Sequence, residues 1–473
     1  MDYLYILPEL IIVAVALVLL VGAALSPKDR QGYMPVVATA GFLAALVAVY
    51  PALGQETNIF GRMITVDGFA QFFKVIFLIV GVLVTLSSAG YMSKQKTSGG
   101  EYYVLLMFAV TGMIFMASST DLLAIWLGLE LVSISSYILA GYRREDPKSN
   151  EAAIKYFLMG AIASAVLLFG LSLVYGYTGT TNLVDIAQIE TKALAGPAVL
   201  GVAMFMLVAG FGFKVAMVPF HMWAPDAYEG APTPVTAFFS IGPKAAGLAA
   251  MIRIFPVGLS ALTSKWSLLF AIIAAVTMTV GNLTALSQKN IKRMMAYSSI
   301  AQVGYITIGL AVATAASVNA IMFYIMAYVF INAGLFSMII LLDERGIGQK
   351  IEDYAGLSQR APVAAAAMVV FFIALIGIPF TSGFFAKFFI FAAAVQSGFM
   401  WLAIILAVNS AISVGYYYGV VKAMYLDAPK DASPVKVPRA LGAVLLTGAL
   451  ATLALGVFSE PFIRLIGLAS LLR

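Results

Sequence analysis

The sequence predicts an all-α polytopic membrane protein with about fourteen transmembrane helices. Its 473 residues are 62% hydrophobic and only 11% charged, and the mean hydropathy is +0.98. Apolar runs of about 20 residues, the length that spans a bilayer, recur along the chain. Soluble globular proteins do not reach this composition, so residues 1–473 are interpreted as a single integral membrane domain.

The first apolar run, residues 4–25, is interpreted as a retained membrane helix. Asp2 precedes it and Glu9 lies inside it, whereas Lys28 and Arg30 follow it. A cleaved signal peptide carries its basic residues first, so the opposite order indicates an N-terminus outside, in the periplasm. The further spans are predicted at 34–51, 70–92, 102–119, 122–141, 152–177, 197–219, 234–256, 266–287, 294–313, 317–341, 362–379, 399–425 and 440–458, with 381–397 as the second half of a broken twelfth helix.

The distribution of lysine and arginine supports this topology. Fourteen spans from an outside N-terminus place every odd-numbered connection in the cytoplasm. Those connections hold 16 of the 28 basic residues, whereas the even-numbered connections and the C-terminal tail hold 5 and the spans hold 7. This bias is the positive-inside rule. It accounts for the net charge of +6 as an orientation signal, so no nucleic-acid binding is predicted.

Several classes of function are excluded. With 0 Cys and the single His221, the chain has no disulfide framework, no thiolate zinc site, no iron–sulfur ligation and no bis-histidine haem. Gly210 and Gly212 begin a G-x-G pattern, but Val215 stands where the third glycine of a dinucleotide site belongs. The short connections leave no room for a soluble catalytic domain. No metal, cofactor or redox centre is expected in this chain.

Ionisable residues inside the spans are the strongest functional signal. Glu130, Lys155, Lys214, Lys244 and Lys387 all interrupt apolar stretches. Each such charge costs about 2.5 to 3.5 kcal/mol on insertion scales and is usually retained for transport. The pattern therefore predicts proton or ion movement through the membrane.

Two of these lysines lie beside predicted helix breaks. Lys214 precedes Pro219 by five residues, and Lys387 follows Pro379 and Gly383. Proline removes a backbone donor and interrupts a helix, and the freed carbonyls can solvate a charge within the membrane. Two such helices, five helices apart, predict an inverted internal repeat whose halves are residues 102–256 and 266–425.

Structural roles are the competing interpretation of these charges. The mid-span lysines could snorkel or cap carbonyls, and Glu130 could belong to a structural ion pair. Lys155 lies four residues after Glu151, so a helix-surface pair is an alternative to a pathway role. His221 could be a hydrogen-bonded structural histidine. Asp226 and Glu229 are expected as solvated loop charges at the cytoplasmic mouth.

At the same residues the chain resembles a known family. The segments DLLAIWLGLELVSISSYIL, FKVAMVPFHMWAPDAYEGAPTPVTAFFS, LTALSQKNIKRMMAYSSIAQVGY and IALIGIPFTSGFFAKFFIF are similar to those of the antiporter-like membrane subunits of respiratory complex I, the proton-pumping NADH:quinone oxidoreductase. Within that family the resemblance is strongest to subunit N, the counterpart of mitochondrial subunit 2. The opening YLYILPELIIVAVALVLL, the lysine at 387 and the expected absence of a long C-terminal lateral helix favour this subunit.

The resemblance implies roles for the intramembrane charges. Glu130 and Lys214 correspond to the ion pair of the fifth and seventh helices, and Lys244 to the central lysine of the eighth. Lys387 corresponds to the terminal ionisable group of the twelfth helix, and Lys155 to a further lysine of the sixth. In such subunits a proton enters from the cytoplasm, resides on the central lysines and leaves near the twelfth-helix residue.

The resemblance also implies a context for the chain. It implies a subunit that translocates protons in the bacterial inner membrane, coupled to NADH oxidation and quinone reduction elsewhere in the complex. NADH, FMN, iron–sulfur clusters and quinone would be bound by other subunits. Neighbouring antiporter-like subunits, small membrane subunits and the lipid bilayer would be the partners.

Three other functions remain open on the sequence. The first is a subunit of a multi-subunit sodium/proton antiporter, which sodium-dependent transport would favour. The second is a subunit of a hydrogenase-type or ferredoxin-linked relative of complex I. The third is a passive scaffold, which intact pumping after neutralisation of Lys214 and Lys244 would favour.

Overall fold

The computed structural model describes residues 2–94, 99–189, 198–429, 431 and 433–471. Within these ranges, thirteen helices are long and apolar enough to cross a membrane, and two shorter apolar helices, Pro362–Ile376 and Ser382–Gln396, form one further broken span. The predicted all-α polytopic fold is therefore confirmed. Residue 197, the predicted start of the seventh span, lies outside the described residues.

The first seven spans follow the predicted order. The first six are Leu7–Leu25, Met34–Val47, Gly68–Lys94, Gly99–Ser118, Leu122–Ala140 and Pro147–Thr178. The seventh consists of two helices, Ala198–Val215 and Trp223–Gly230. Asp2–Tyr5 forms a short helix before the first span. The connections of this half contain the short helices Lys28–Tyr33, Tyr50–Ala52 and Leu183–Ala187 and the strands Thr57–Ile59 and Ile64–Val66.

The remaining spans complete the bundle. The eighth is Thr233–Ile252, which continues as a π-helical turn, Arg253–Gly258. The ninth to eleventh are Thr263–Ala285, Ile291–Val312 and Ala315–Glu344; the twelfth is Pro362–Ile376 with Ser382–Gln396; the last two are Met400–Tyr425 and Arg439–Val457. Short helices form at Ser260–Leu262, Ile351–Tyr354, Leu357–Arg360 and Ser459–Leu468.

Contacts between connections show that the spans alternate between two faces. On the face of the odd-numbered connections, here the odd face, Lys94 Nζ lies 3.3 Å from Glu344 Oε2, so the ends of the third and eleventh spans meet. On the opposite, even face, the Thr120 amide donates to the Met63 carbonyl at 3.0 Å. The antiparallel strands Thr57–Ile59 and Ile64–Val66 belong to the even face.

The seventh span is broken where proline was expected to break it. The first helix ends at Val215, Ala216 adopts a left-handed conformation with φ of 63°, and the Val218–Pro219 peptide bond is cis. The helix resumes at Trp223. Pro219 therefore lies inside the interruption, and Lys214 lies in the last turn before it.

The twelfth span is broken in a similar way. Its first helix ends at Ile376, and Gly377 caps it with φ of 93°, a conformation that favours glycine. The second helix begins at Ser382. The predicted break between Pro379 and Gly383 is confirmed, and it starts slightly earlier because Gly377 ends the helix.

The eighth span lies at the centre of the molecule. Every residue from Thr233 to Ile252 is buried, including Pro243 and Lys244. Since Pro243 lacks an amide hydrogen, it removes one backbone hydrogen bond without ending the helix. Lys244 is thereby held in the interior, with other helices on all sides.

Candidate functional site

Three lysines lie almost completely buried within the bundle. Lys214, Lys244 and Lys387 are 3%, 2% and 5% exposed. Each ammonium nitrogen donates to a serine hydroxyl, at 2.9, 2.6 and 2.7 Å respectively: Ser133, Ser299 and Ser410. Within the described residues, no salt bridge joins any of the three lysines to a carboxylate. Their charges are therefore solvated by neutral oxygens.

The Lys244 ammonium has two neighbours, a serine hydroxyl and a tyrosine ring, and it adjoins a small cavity. Its ammonium donates to Ser299 of the tenth span and lies 5.3 Å from the centroid of the Tyr228 ring. A cavity of about 10 Å³ adjoins it, lined in part by Gln302 and Tyr328. This is about the smallest volume that holds one water molecule, and Lys244, Gln302 and Tyr328 are the polar residues in an otherwise apolar lining.

Lys387 is solvated by the broken twelfth helix. Its ammonium donates to the carbonyl oxygens of Leu375 and Ile376 at 2.8 and 2.9 Å and to Ser410. The ring centroid of Tyr305 lies 4.4 Å away. These carbonyls end the first half-helix, where the helix dipole is negative, so the break creates a binding site for a cation.

Lys214 and Glu130, which lie far apart in sequence on the seventh and fifth spans, do not contact each other directly. Lys214 donates to Ser133, one helical turn after Glu130, and no salt bridge between Glu130 and Lys214 occurs among the described residues. The Glu130 carboxylate instead accepts from Ser164, which also accepts from the Trp126 indole at 3.2 Å. The ion pair is therefore not a direct contact, because hydroxyl groups bind both partners. An approach of Glu130 and Lys214 within the distance bridged by a single water stays a prediction.

Contacts between neighbouring spans connect the three buried lysines in the order Lys214, Lys244, Lys387. A Cβ added to Gly247, one turn after Lys244, would lie 3.5 Å from Lys214 Cγ, so the seventh and eighth spans touch at this point. On the other side, Gln302 donates at 3.2 Å to the Leu375 carbonyl, which also accepts from Lys387. Gln302 thus links the Lys244 cavity to the Lys387 site. We predict that water hydrates this axis continuously from Lys214 to Lys387.

Polar side chains continue beyond Lys387. Asn282 donates to the Tyr305 hydroxyl at 2.8 Å and to Asn409 at 3.2 Å, and it accepts from Tyr416 at 2.9 Å. These interhelical bonds join the ninth, tenth and thirteenth spans. Asn282 and Asn409 therefore hold these spans together by interhelical hydrogen bonds.

Lys155 belongs to a charge cluster on the odd face. It lies 2.7 Å from Glu151 and 2.8 Å from Asp226, and its side chain is 43% exposed. Asp226 and Glu229 also pair with Arg293 at 2.7 and 3.2 Å. Asp226 and Glu229 are thus not solvated loop charges, because they lie on the helix Trp223–Gly230 and are held by cations.

His221 lies in the interruption of the seventh span and is 9% exposed. Its Nδ1 is buried and has no hydrogen-bond partner among the residues that the structure describes. A structural role through hydrogen bonds of the other ring nitrogen stays a prediction for His221.

The partners of the lysines were missed by the sequence reasoning. Ser299 and Gln302 both lie in the tenth-span segment AYSSIAQVGY, whose density of small polar residues within an apolar helix was the available signal. Lys292 was counted as a connection residue, yet it is 1% exposed and donates to the carbonyls of Glu229 and Ala231 at 2.8 and 2.6 Å. It caps the second half of the seventh span.

No group of three or more His, Cys, Asp or Glu side chains that could hold a metal occurs in the described part of the chain. The polar side chains that contact Lys214, Lys244 and Lys387 carry hydroxyl groups, and Gln302 contributes an amide to the cavity beside Lys244. Such groups can hold and exchange protons, and water can connect them.

The chain is similar to known proteins along nearly its whole length. Residues 119–413 match the family described as "NADH:quinone oxidoreductase/Mrp antiporter, TM". The "NADH-quinone oxidoreductase subunit N 2" of Symbiobacterium thermophilum is 48% identical and covers 98% of this chain and 96% of its own length. The "F(420)H(2) dehydrogenase subunit N" of Methanosarcina mazei is 40% identical over 98% of this chain and 97% of its own. A chain of respiratory complex I from Thermus thermophilus has 32% identity and a TM-score of 0.83, and the match covers 98% of this chain and 100% of that one.

Proposed function

The chain belongs to the family of antiporter-like N subunits of the NADH-quinone oxidoreductases, and from this membership we propose that its buried lysines are the groups that carry protons. The redox reaction, NADH oxidation with quinone reduction, takes place elsewhere in the complex. FMN and iron–sulfur clusters belong to those other subunits. Neighbouring antiporter-like subunits and small membrane subunits surround this chain in the bilayer.

One observation carries the proposal. Lys214, Lys244 and Lys387 are buried, and each donates to a serine hydroxyl rather than to a carboxylate. A salt bridge would fix the proton on the ammonium, whereas a hydroxyl both accepts and donates hydrogen bonds and so leaves the lysine free to release it. Moving one proton against 100 mV requires about 2.3 kcal/mol, which is within the range that local solvation of a lysine supplies.

The proposed route runs from lysine 214 through lysine 244 to lysine 387. Lys244 receives a proton in the central helix, and Ser299 and the adjoining cavity hold the water or hydroxyl that passes it on. Gln302 and the Leu375 carbonyl lead to Lys387. The carbonyls of the broken twelfth helix stabilise the ammonium form of Lys387 at the end of the route.

The direction of transport follows from the orientation that we propose. The odd face carries most of the basic residues and is assigned to the cytoplasm, so the N-terminus is outside. Protons then enter from the odd face, near Asp226 and Arg293, and leave on the even face near Lys387. Glu130 acts on Lys214 by its charge, with Ser133 and Ser164 between them. The two repeat-like halves, 102–256 and 266–425, each contribute one broken helix.

Substitution of Lys244 tests the proposal. In the purified complex, reconstituted in liposomes, we expect Lys244→Arg and Lys244→Ala each to lower the number of protons moved per electron at least about threefold, because arginine cannot release its proton and alanine has none. Lys289→Arg is the matched control, since Lys289 is exposed on the odd face. Wild-type proton movement by fully assembled Lys244→Ala complexes would contradict the proposal and favour a scaffold.

The family match also supports a second candidate function, that of a subunit of a sodium/proton antiporter. The matching family includes Mrp antiporters, so transport that depends on sodium rather than on electron transfer would favour an antiporter subunit. Because one relative is a subunit of an F(420)H(2) dehydrogenase, the identity of the electron donor is set by the peripheral subunits and not by this chain. Identification of the proteins that co-purify in mild detergent decides both points.

A further inference from the structure

Arg253 is a buried cation near the even-face end of the helix that carries Lys244. It follows Lys244 by nine residues, about 13 Å along the helix axis, and it is 2% exposed. It begins the π-helical turn Arg253–Gly258, in which the eighth span ends. π-Helical turns within helices often occur at functional sites. A proton that left Lys244 directly for the even face would have to travel toward Arg253.

The guanidinium is held by three residues at the even-face ends of the third and fourth spans. Its Nη1 and Nη2 donate to the two carboxylate oxygens of Asp67 at 3.0 and 2.9 Å, and its Nε donates to the Ala117 carbonyl. The ring of Phe69 lies 4.8 Å from the guanidinium carbon. The Asp67 side chain is 21% exposed and that of Arg253 is 3% exposed. The carboxylate therefore lies toward solvent, and the guanidinium lies on the inner side.

Water-sized space lies on the Lys244 side of Arg253, and unpartnered polar side chains lie on two neighbouring spans. The cavity beside Lys244 also reaches Leu248, one turn nearer to Arg253. Gln71 and Ser118 lie on the third and fourth spans, whose even-face ends hold the guanidinium, and each has a buried side-chain oxygen without a hydrogen-bond partner among the described residues. Buried oxygens of this kind are where internal water binds. A hydrated route past Leu248 would meet the guanidinium before it reached solvent.

We propose that Arg253 is an electrostatic barrier that prevents the proton on Lys244 from leaving directly to the even face. The inference rests on the proposed function. A guanidinium keeps its charge at every accessible pH and so cannot pass a proton on, and a fixed positive charge in a poorly solvated interior repels a second one. The proton on Lys244 then leaves only sideways, toward Lys387, and the first half of the chain does not leak.

Passive proton permeability tests the barrier without any turnover. The whole complex is reconstituted in liposomes, a potassium diffusion potential is imposed with valinomycin, and proton entry is followed with a trapped pH indicator. We expect Arg253→Met to raise proton permeability at least about tenfold, since the charge that repels the proton is gone. Arg253→Gln should do the same. Arg62→Met is the control, because Arg62 is an exposed even-face arginine paired with Asp185 at 3.0 Å.

Two further variants separate a barrier from a structural clamp. Asp67→Asn breaks the ion pair but keeps the guanidinium charge, so a barrier predicts that the complex stays tight. A clamp predicts that Asp67→Asn leaks as much as Arg253→Met. Arg253→Lys should also stay tight. Because the leak would start from Lys244, adding Lys244→Ala to Arg253→Met should close it.

Wild-type permeability in Arg253→Met and Arg253→Gln would overturn the proposal, as would a leak in Asp67→Asn equal to that of Arg253→Met. If neither neutral variant assembles, Asp67→Asn alone decides, since only a clamp makes it leak. Failure of the proposed function is seen in a different experiment: Lys244→Ala, with Arg253 intact, would then pump like the wild type.

Discussion

At the scale of the residue, the choice of partner decides what a buried lysine can do. The interior contains two kinds of buried cation. Lys74, 3% exposed, lies 2.8 Å from Glu9, and Arg253 is held by Asp67, so both are fixed by carboxylates. Lys244 and Lys387, in contrast, donate to hydroxyl and carbonyl oxygens and form no salt bridge within the described residues. A carboxylate partner keeps a buried cation charged, so the first kind retains its charge, whereas the second kind is free to exchange protons.

The hydroxyl of Ser299 is expected to matter for transport. Ser299→Ala removes the only hydrogen bond of the Lys244 ammonium that the described residues show, at a cost of about 1.5 to 3 kcal/mol. We expect the rate of proton movement to fall roughly tenfold, the factor that corresponds to about 1.4 kcal/mol. Ser337→Ala is the matched control, because Ser337 is buried but bonds only the Gly334 carbonyl of its own helix. Equal rates in both variants would show that the hydroxyl is not on the route.

Lys155 is expected to act as an ion-pair partner. Its ammonium contacts Glu151 and Asp226 and is partly exposed, so its positive charge, rather than its ability to release a proton, is what the surroundings use. We expect Lys155→Arg to keep proton movement within about twofold of the wild type, since exposed pairs contribute at most about 1 kcal/mol. Loss of pumping in Lys155→Arg with normal assembly would instead place Lys155 on the proton route.

The sequence identifies the lysines but not their partners. A charge within an apolar run is visible in one stretch of chain, so Lys214, Lys244 and Lys387 could all be predicted. The partners Ser133 and Ser299 come from helices 81 and 55 residues away. Serine is common at helix contacts in membranes, and nothing in its local sequence separates a lysine partner from packing. The contact of Glu130 with Ser164 could not be predicted for the same reason.

At the scale of the element, each interrupted span ends in a turn that places a lysine among backbone or hydroxyl oxygens. Proline made both breaks predictable, since its effect on a helix is local. The exact ends were set by Ala216 and Gly377, the residues with positive φ. The π-helical turn after Ile252 was not predictable, because it depends on the contacts of Arg253 with distant helices.

The close approach of the two halves of the twelfth span gives a test of this arrangement. A Cβ at Gly383 would overlap the carbonyl of Ala374, so Gly383→Ala must move the second half away from the first. Lys387 would then lose the Leu375 and Ile376 carbonyls. We expect proton movement to fall at least about tenfold while electron transfer is retained, because charged hydrogen bonds of this kind are each worth about 1.5 to 3 kcal/mol.

Gly419→Ala is the control for that substitution. Gly419 lies in the helix Met400–Tyr425, and a Cβ there meets nothing within 4 Å. Alanine should therefore be accepted without loss of transport. Normal pumping in Gly383→Ala would show that the backbone carbonyls are dispensable for Lys387.

At the scale of the whole molecule, the two faces have different chemistry. The odd face joins its spans through ion pairs that include Lys155, Asp226 and Arg293. The even face joins them through the strand pair, backbone hydrogen bonds and the Arg253–Asp67 pair. The interior route ends near Lys387, in the second half of the chain. A proton that enters at the odd face in one half and leaves at the even face in the other crosses the membrane by a lateral path, and this path requires each half to be closed at one face.

The orientation of these faces can be measured directly, because the chain contains 0 Cys. Lys289→Cys places one thiol in an exposed odd connection, and Gln55→Cys places one in an exposed even connection. A maleimide that cannot cross membranes should label Lys289→Cys in inside-out vesicles and Gln55→Cys in right-side-out vesicles, since the positive-inside rule assigns the odd face to the cytoplasm. Labelling after detergent treatment controls for thiols that neighbouring subunits cover. The reverse pattern would place the N-terminus in the cytoplasm, and the proposed route from the odd face to Lys387 would then carry protons into the cell.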